Sequence, residues 1–112
     1  HKNGDLHFHD LGFGFTRPNC LQHPIYKIFE KGLDALNCIS TPPKHLDTAL
    51  SHCLNALSLG QGHFAGGQSI PMFNVFIAPF CKDMSEKEIK QCIQQFIFQS
   101  NQISASRGMQ TI

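Results

Sequence analysis

The stretch SEKEIKQCIQQFI, residues 85–97, gives the clearest indication of how this chain folds. Ser85 followed by Glu88 is a capping box, because the Ser hydroxyl accepts from an amide of the first helical turn and the Glu carboxylate bonds back to the Ser amide. Apolar residues then return at helical spacing from Ile89 onward, with Lys and Gln between them. The stretch therefore predicts an amphipathic helix with one buried face.

Outward from this helix, the apolar pattern alternates between short strands, loops and helices. Alternation with period 2 predicts a strand, a return every three or four residues predicts a helix, and Gly and Pro interrupt both. Gly60 and Gly62 are expected to end the strongest of the other helices. The predicted elements are a strand over 5–9, a loop over 16–20, helices over 23–36 and 43–58, an apolar segment of either type over 70–80 and a loop over 104–108. This order is typical of part of an α/β fold.

The composition excludes several classes of protein. Of the 112 residues, 41% are hydrophobic and 15% are charged, and 9 basic against 8 acidic residues leave a net charge of +1. This is enough apolar material for a core and too little positive charge for a general nucleic-acid or anionic-membrane binder. No apolar run approaches the roughly 20 residues that cross a bilayer. No apolar signal-peptide pattern follows His1, so export is not expected. Because the sequence stops at Ile112 in a strand-like pattern, we expect residues 1–112 to be a fragment of one domain.

The five cysteines differ in their expected surroundings. Their odd number, irregular spacing and lack of a Cys-x-x-Cys pair predict free thiols in a reducing cytoplasm. Cys53 and Cys92 lie on the apolar faces of predicted helices, so we expect them to fill the core. Cys20 lies instead in a predicted loop after Arg17, which would favour the thiolate. A reactive thiol and a structural thiol both remain open for Cys20.

The sequence His-x-His-Asp at residues 7–10 is a candidate metal site. On a strand, His7 and His9 share a face, so both imidazoles can reach one ion, with Asp10 as a further ligand or hydrogen-bond partner. The alternative is that the two histidines only make hydrogen bonds that hold the strand in place. Because no His-x-x-x-His spacing with an adjacent Glu accompanies them, we predict no metal site.

Two features of the sequence fit an anion such as phosphate. Lys44 is expected in the first turn of the helix over 43–58, where a cation beside free amides attracts phosphate. Gly66 and Gly67 before Gln68 allow close approach of the backbone to a phosphate, although no Gly-Lys-Ser/Thr follows as in a P-loop. A solvated lysine and an ordinary turn are the simpler interpretations, and the pattern leaves them open.

Six short motifs, which together cover nearly the whole chain, carry a resemblance to a known family. Each motif alone is weak, but six in one order are specific. They are Gly4-Asp5-Leu6-His7-Phe8-His9-Asp10-Leu11, Arg17-Pro18-Asn19-Cys20, Pro42-Pro43-Lys44, Phe64-Ala65-Gly66-Gly67-Gln68, Ala78-Pro79-Phe80 and Ser106-Arg107-Gly108-Met109-Gln110. The chain resembles the anaerobic (class III) ribonucleoside-triphosphate reductases, which are glycyl-radical enzymes. Met109 stands where family members often have a second glycine, which affects only local backbone geometry.

The resemblance implies a ten-stranded α/β barrel, of which residues 1–112 would form the first strands and helices. In this family a glycyl radical oxidises a finger-loop cysteine to a thiyl radical, which abstracts the 3′ hydrogen of the ribonucleotide before the 2′ hydroxyl leaves as water. A second cysteine supplies hydrogen to the 2′ carbon, and Cys20 occupies its position. Asn19 carries over as a neighbour that hydrogen-bonds substrate or formate. The product is a deoxyribonucleoside triphosphate for DNA synthesis.

The resemblance also implies cofactors and partners outside this chain. These are a glycyl radical installed by an S-adenosylmethionine iron–sulfur activase, a four-cysteine zinc site, and formate or a dithiol protein as reductant. The whole protein is expected to be a cytoplasmic homodimer that takes ribonucleoside triphosphates and responds to ATP and deoxynucleotide effectors. Lys44 is assigned to the effector site and residues 66–68 to a nearby nucleotide-facing loop, while His7 and His9 shape the barrel floor. We expect no membrane or nucleic-acid partner and no activity of the isolated chain.

Two other interpretations are open on the sequence alone. A glycyl-radical enzyme related to pyruvate formate-lyase would share the barrel but act on carbon–carbon bonds, and would need two adjacent cysteines on the finger loop. A small non-enzymatic module would bind zinc or a nucleotide through His7, His9 and Asp10, and would fold cooperatively by itself. A barrel fragment would instead expose unpaired strand edges and aggregate.

Overall fold

The computed structural model describes residues 3–6, 16, 18–35, 38–64, 66–102, 104–105 and 108–109. The helices in these ranges are α1 (Ile25–Lys31), α2 (Leu46–His63), α3 (Phe73–Ile77) and α4 (Glu86–Gln102), and a 3-10 turn covers Ala78–Cys81. The strands are β1 (Leu21–Gln22), β2 (Leu33–Ala35), β3 (Cys38–Ser40), β4 (Gln68–Ser69), β5 (Ser104–Ala105) and β6 (Gly108–Met109). β1 and β4 pair in parallel, whereas β2 with β3 and β5 with β6 pair antiparallel. The predicted α/β fold is confirmed, and the ten-stranded barrel stays a prediction.

The core lies between α2 and α4, the two longest helices, and α1 packs against both α2 and α3. Phe73 of α3 stacks on the buried Phe96 of α4, with 5.3 Å between the ring centroids. Cys53 is fully buried on α2, which confirms its predicted place in the core, and Cys92 is half-buried against the same cluster. Neither of these helices, nor any other in the described ranges, is long and apolar enough to cross a membrane.

The first turn of α4 has the predicted capping box. Glu88 accepts hydrogen bonds from the Ser85 amide at 2.8 Å and from the Ser85 hydroxyl at 2.6 Å, and the Glu88 amide donates to the Ser85 hydroxyl oxygen at 3.3 Å. These bonds to its charged form hold the pKa of the Glu88 carboxyl below its usual value. The pattern at residues 85–88 therefore sets where this helix begins, as predicted.

The predicted helix over 23–36, whose end the sequence left uncertain at Gly32, covers only Ile25–Lys31, because Gly32 ends it. Gly32 has φ of +85°, a conformation that favours glycine, and its amide donates to the Ile28 carbonyl at 2.8 Å. A Cβ at Gly32 would lie 2.0 Å from the Ser40 carbonyl oxygen. The chain therefore turns into the β2–β3 pair, in which Leu33 lies opposite Ser40.

The predicted helix over 43–58 is displaced at both ends. It begins at Leu46, after the exposed His45, and continues through Gly60 and Gly62 to His63. Glycine lowers helix stability by about 1 kcal/mol relative to alanine, which is why its presence predicts an end. Here Gly60 is buried against β4, where packing outweighs this propensity.

The remaining predicted elements have mixed outcomes. The segment 70–80 is helical only from Phe73, with the short α3 followed by the 3-10 turn. The predicted loop over 104–108 is wrong at its ends, because β5 pairs with β6. Of the predicted loop over 16–20, the described residues have no helix or strand, as expected. Within the predicted strand over 5–9, Asp5 and Leu6 are not in a strand, and the other three positions lie outside the described residues.

Candidate functional site

The parallel pair of β1 and β4 brings together two segments that the sequence motifs singled out separately. Leu21 lies opposite Gln68, and the Leu21 amide donates to the Gly67 carbonyl at 3.2 Å. One step further, the His23 amide donates to the Ser69 carbonyl at 2.9 Å. Cys20 comes directly before β1 and Gly67 directly before β4. The loop at residues 18–20, here called the thiol loop, therefore meets the glycine pair Gly66 and Gly67 at one end of this sheet.

Asn19 and Gly66 make the closest contact between these two segments. The Gly66 amide donates to the Asn19 carbonyl oxygen. A Cβ at Gly66 would lie 2.6 Å from that oxygen and 2.6 Å from the side-chain Oδ1 of Asn19, which is too close for any real Cβ. The bare backbone of Gly66 is therefore what allows the loop before Cys20 to approach it.

Cys20 has surroundings unlike those of the other cysteines whose side chains are described. It is exposed, whereas Cys53 is buried and Cys81 and Cys92 are half-buried. Burial raises the pKa of the Cys53 thiol to about 12, and burial followed by nearby negative charge raises the pKa of Cys92. A thiol needs access and thiolate character to react, and among these four side chains Cys20 is the accessible one.

Gln68 has its side chain inside the protein. It is 8% exposed, its Oε1 is 2.7 Å from Nε2 of the buried His23, and its Nε2 donates to the Leu57 carbonyl at 2.9 Å. Both ends of the amide are thus bonded within the protein, which gives Gln68 a structural role between β4, β1 and α2. The sequence pattern misses this role, because it depends on the register of two strands far apart in the chain.

Lys44 does not lie near residues 66–68, contrary to the sequence-based grouping. It precedes α2 rather than standing in its first turn, and the glycines follow the other end of this 18-residue helix. A helix of that length extends about 27 Å. The structure therefore separates the Lys44 region from the Cys20 site.

The surroundings of Lys44 are electrically balanced. It lines a cleft of about 570 Å³ together with one further lysine, Lys82, and two aspartates, Asp47 and Asp83. The Asp47 carboxylate already accepts from the Thr48 amide at 2.6 Å, so a protein group already uses this amide of the first turn of α2. The cleft has room for a ligand but no excess of positive charge among these four side chains.

Several predicted site residues lie outside the described part of the chain. These are His7, His9 and Asp10 of the candidate metal site and Arg17 before the thiol. Within the described ranges, no group of three His, Cys, Asp or Glu side chains could hold a metal ion. The arrangement that the structure does define is Asn19 and Cys20 beside Gly66 and Gly67.

The fold around this site is similar to that of solved anaerobic ribonucleotide reductases. The enzyme from Thermotoga maritima in complex with dATP and CTP is 27% identical, with a TM-score of 0.79 over 89% of this chain and 19% of that chain. The Thermotoga maritima enzyme with citrate in the active site is 26% identical, with a TM-score of 0.77 over 90% of this chain and 21% of that chain. These matches define the class of protein to which the fold corresponds.

The family follows from sequence similarity. The anaerobic ribonucleoside-triphosphate reductase of Salmonella typhimurium is 28% identical over 92 residues, 80% of this chain and 13% of that protein. Its counterpart from Escherichia coli is 29% identical over 82 residues, 71% of this chain and 12% of that protein. The family model described as anaerobic ribonucleoside-triphosphate reductase matches residues 1–112. The chain therefore belongs to the anaerobic ribonucleoside-triphosphate reductase family.

This membership decides between the interpretations that the sequence left open. It favours the ribonucleotide reductases over a glycyl-radical enzyme of the pyruvate formate-lyase type and over a small metal- or nucleotide-binding module. The chain spans 13% and 12% of the lengths of the two curated relatives.

Proposed function

We propose that this chain is part of an anaerobic ribonucleoside-triphosphate reductase in which the Cys20 thiol supplies a hydrogen atom to the 2′ carbon of the ribonucleotide. The 2′ C–O bond is replaced by a C–H bond, and the oxygen leaves as water. The two electrons required come from formate, which becomes carbon dioxide, or from a dithiol protein, which becomes a disulfide. The product is the corresponding deoxyribonucleoside triphosphate.

The observation that carries this proposal is the exposed thiol of Cys20 at the beginning of β1, beside the glycines that precede β4. A thiol that must reach a substrate needs an accessible position, and the three other cysteines with described side chains are at least half-buried. Gly66 and Gly67 bring only backbone to this end of the sheet. They hold the loop closely without adding side chains beside the thiol.

Asn19 is proposed to bind the substrate or formate next to the thiol. Its carbonyl oxygen already accepts from Gly66, which holds the loop backbone, and its side chain is exposed. A carboxamide offers both hydrogen-bond donors and an acceptor, which suits either a ribose hydroxyl or a carboxylate. Asn19 would therefore orient the reacting group toward Cys20, one residue further along.

The remaining components belong to the rest of the proposed enzyme. The glycyl radical, the finger-loop cysteine that becomes a thiyl radical and the zinc site would be supplied outside residues 1–112, and a separate iron–sulfur activase would install the radical. We propose the ten-stranded barrel and a homodimer for the full-length protein, with Lys44 at a nucleotide effector site. The room in the cleft beside Lys44 supports this last assignment, as does the Thermotoga maritima structure with dATP bound in its specificity site.

The test is a pair of cysteine substitutions in the full-length protein, activated anaerobically to carry its radical. Cys20→Ser replaces the thiol by a hydroxyl that is a far poorer hydrogen-atom donor. We expect deoxyribonucleotide formation to fall by about a hundredfold or more, as for loss of an essential reacting group. Cys81→Ser is the matched control, because the half-buried Cys81 thiol donates to the Ile77 carbonyl at 3.5 Å, which a hydroxyl can also do.

Equal activity of the two variants would contradict the assignment of Cys20. Radical content is measured in each sample by electron paramagnetic resonance, so that loss of reduction is separated from failed activation. A full-length protein that carries its radical but makes no deoxyribonucleotide from any ribonucleoside triphosphate would overturn the proposed function itself.

A further inference from the structure

A buried hydrogen-bonded pair joins β1 and β4 just beyond the thiol loop. His23, the residue after β1, is 7% exposed, and Gln68 of β4 is 8% exposed. Nε2 of His23 lies 2.7 Å from Oε1 of Gln68. Polar groups are buried at a cost unless they are bonded to each other, so this pair is stable only when the two strands stand in one register.

The bond from Gln68 to α2 fixes which atom of the His23–Gln68 pair is the donor. The Leu57 carbonyl can only accept, so the amide nitrogen of Gln68 faces it, at 2.9 Å. Oε1 of Gln68 therefore faces His23, and His23 must donate through Nε2–H.

Gly60 of α2 provides the space in which the pair lies. A Cβ at Gly60 would be 1.9 Å from Oε1 of Gln68 and 3.2 Å from Cε1 of His23. The helix, β1 and β4 thus meet at one point, with no side chain between the helix backbone and the pair.

We propose that His23 and Gln68 are positioning residues for the Cys20 thiol, an inference that rests on the proposed function. The parallel pair of β1 and β4 has only two residues in each strand, too few backbone bonds to fix its own register. A slip by one residue would turn every side chain to the other face of the strand. The buried pair excludes that slip, and it thereby holds Cys20 beside Gly67.

The experiment compares Gln68→Met and His23→Leu in the full-length, radical-activated protein. Both substitutions keep side-chain volume roughly similar and remove the hydrogen bond. We expect kcat to fall by about tenfold while KM for the ribonucleotide stays within about twofold, since a misplaced thiol affects the reaction more than binding. In the protein without its radical, alkylation of Cys20 by iodoacetamide should become about threefold faster, because the loop is released.

Two further variants separate positioning from a merely structural effect. His23→Gln keeps an N–H donor for Gln68 and is expected to restore kcat to within about threefold of the unaltered protein. Gln22→Met is the matched control, because Gln22 lies on β1 next to His23 but is exposed. It should leave kcat and the alkylation rate unchanged.

The results distinguish failure of this positioning role from failure of the proposed function. Unchanged kcat and unchanged Cys20 alkylation in Gln68→Met would overturn the inference, even if Cys20→Ser is inactive and the proposed function stands. If Cys20→Ser is fully active, the proposed role of Cys20 fails, while the alkylation rates still report whether the pair holds the loop. Should Gln68→Met not fold, the comparison of His23→Leu with His23→Gln decides by the same criteria.

Discussion

The backbone amide of Gly66 donates a hydrogen bond to the carbonyl oxygen of Asn19, and no residue with a Cβ could take the place of Gly66 at this distance. Through this contact the end of the α2–β4 connection supports the loop that carries Cys20. The consequence is that the geometry around the thiol depends on residues far along the chain. The effects of changing such contacts are to be measured in the full-length protein.

Gly60→Ala is expected to destabilise the protein, although alanine is normally the better helix former by about 1 kcal/mol. The added methyl group would lie 1.9 Å from Oε1 of Gln68, and overpacking of this kind costs about 1–3 kcal/mol. Thermal unfolding followed by circular dichroism measures the effect. Asn55→Ala on the exposed face of the same helix is the control and should not lower the melting temperature. Equal melting temperatures for Gly60→Ala and the unaltered protein would disprove the close contact.

The start of α4 is expected to loosen as the pH falls. The folded pKa of Glu88 is lowered, so its bonds to Ser85 contribute fully above the unfolded value of 4.5 and are lost as the pH falls through the folded pKa. Amide hydrogen exchange in the first turn of α4 measures this, and Glu88→Gln should remove the pH dependence. At neutral pH, Ser85→Ala should destabilise the first turn of α4 by about 1 kcal/mol, whereas Lys87→Ala should not destabilise it.

The contact between α2 and the β2–β3 pair is expected to weaken in mild acid. Nε2 of His52 is 3.0 Å from the Ser40 hydroxyl, Nδ1 of His52 is buried without a partner in the described part of the chain, and burial lowers the His52 pKa. Below the usual value of 6.5 the unfolded form takes up a proton before the folded form does, so stability falls as the pH drops.

The measurement for this contact is exchange of the Leu33 amide, which donates to the Ser40 hydroxyl at 3.3 Å, compared between about pH 7.5 and about pH 5.5. After correction for intrinsic rates, exchange should be faster at the lower pH. His52→Leu should abolish the difference, and His63→Leu, at the exposed end of α2, should retain it. A difference that survives in His52→Leu would assign the effect to another group.

Thiol alkylation is expected to follow the burial of each cysteine. With a pKa of about 12, only about one Cys53 in ten thousand is a thiolate at pH 8, and its sulfur is buried as well. Iodoacetamide should therefore modify Cys20 at least about a hundredfold faster than Cys53 in the folded protein. Peptide mass spectrometry over time gives both rates. In denaturant the two rates should converge, and comparable rates in the folded protein would contradict the burial of Cys53.

Local features of this fold could be predicted from the sequence, and non-local ones could not. The capping box at Ser85 and the buried stripe that includes Cys53 depend on residues within a few positions of each other, and both are confirmed. The end of α1 at Gly32 and the passage of α2 through Gly60 depend on contacts with Ser40 and Gln68. A glycine in the sequence looks the same whether it ends a helix or makes room inside one for a neighbouring side chain. Only the packed structure distinguishes the two cases.

In the candidate site, too, the local features could be predicted from the sequence and the non-local ones could not. The loop character of residues 18–20 and the exposure of Cys20 follow from the absence of an apolar stripe. The neighbour of Cys20 could not be found locally, because a parallel pair joins segments that a whole crossover separates. The phosphate-directed interpretation of residues 66–68 overlooked the buried amide of Gln68 for that reason.

The parallel pairing of β1 with β4 has a consequence for how the protein forms during synthesis. The capped and amphipathic helices and the β2–β3 turn consist of neighbouring residues, and such contacts close early. β1 leaves the ribosome before β4 but cannot pair until α2 and β4 have followed it and the intervening loop has closed. The thiol loop thus waits for its partner until α2 and β4 have been made, and translational pausing within α2 would prolong its exposure to oxidants.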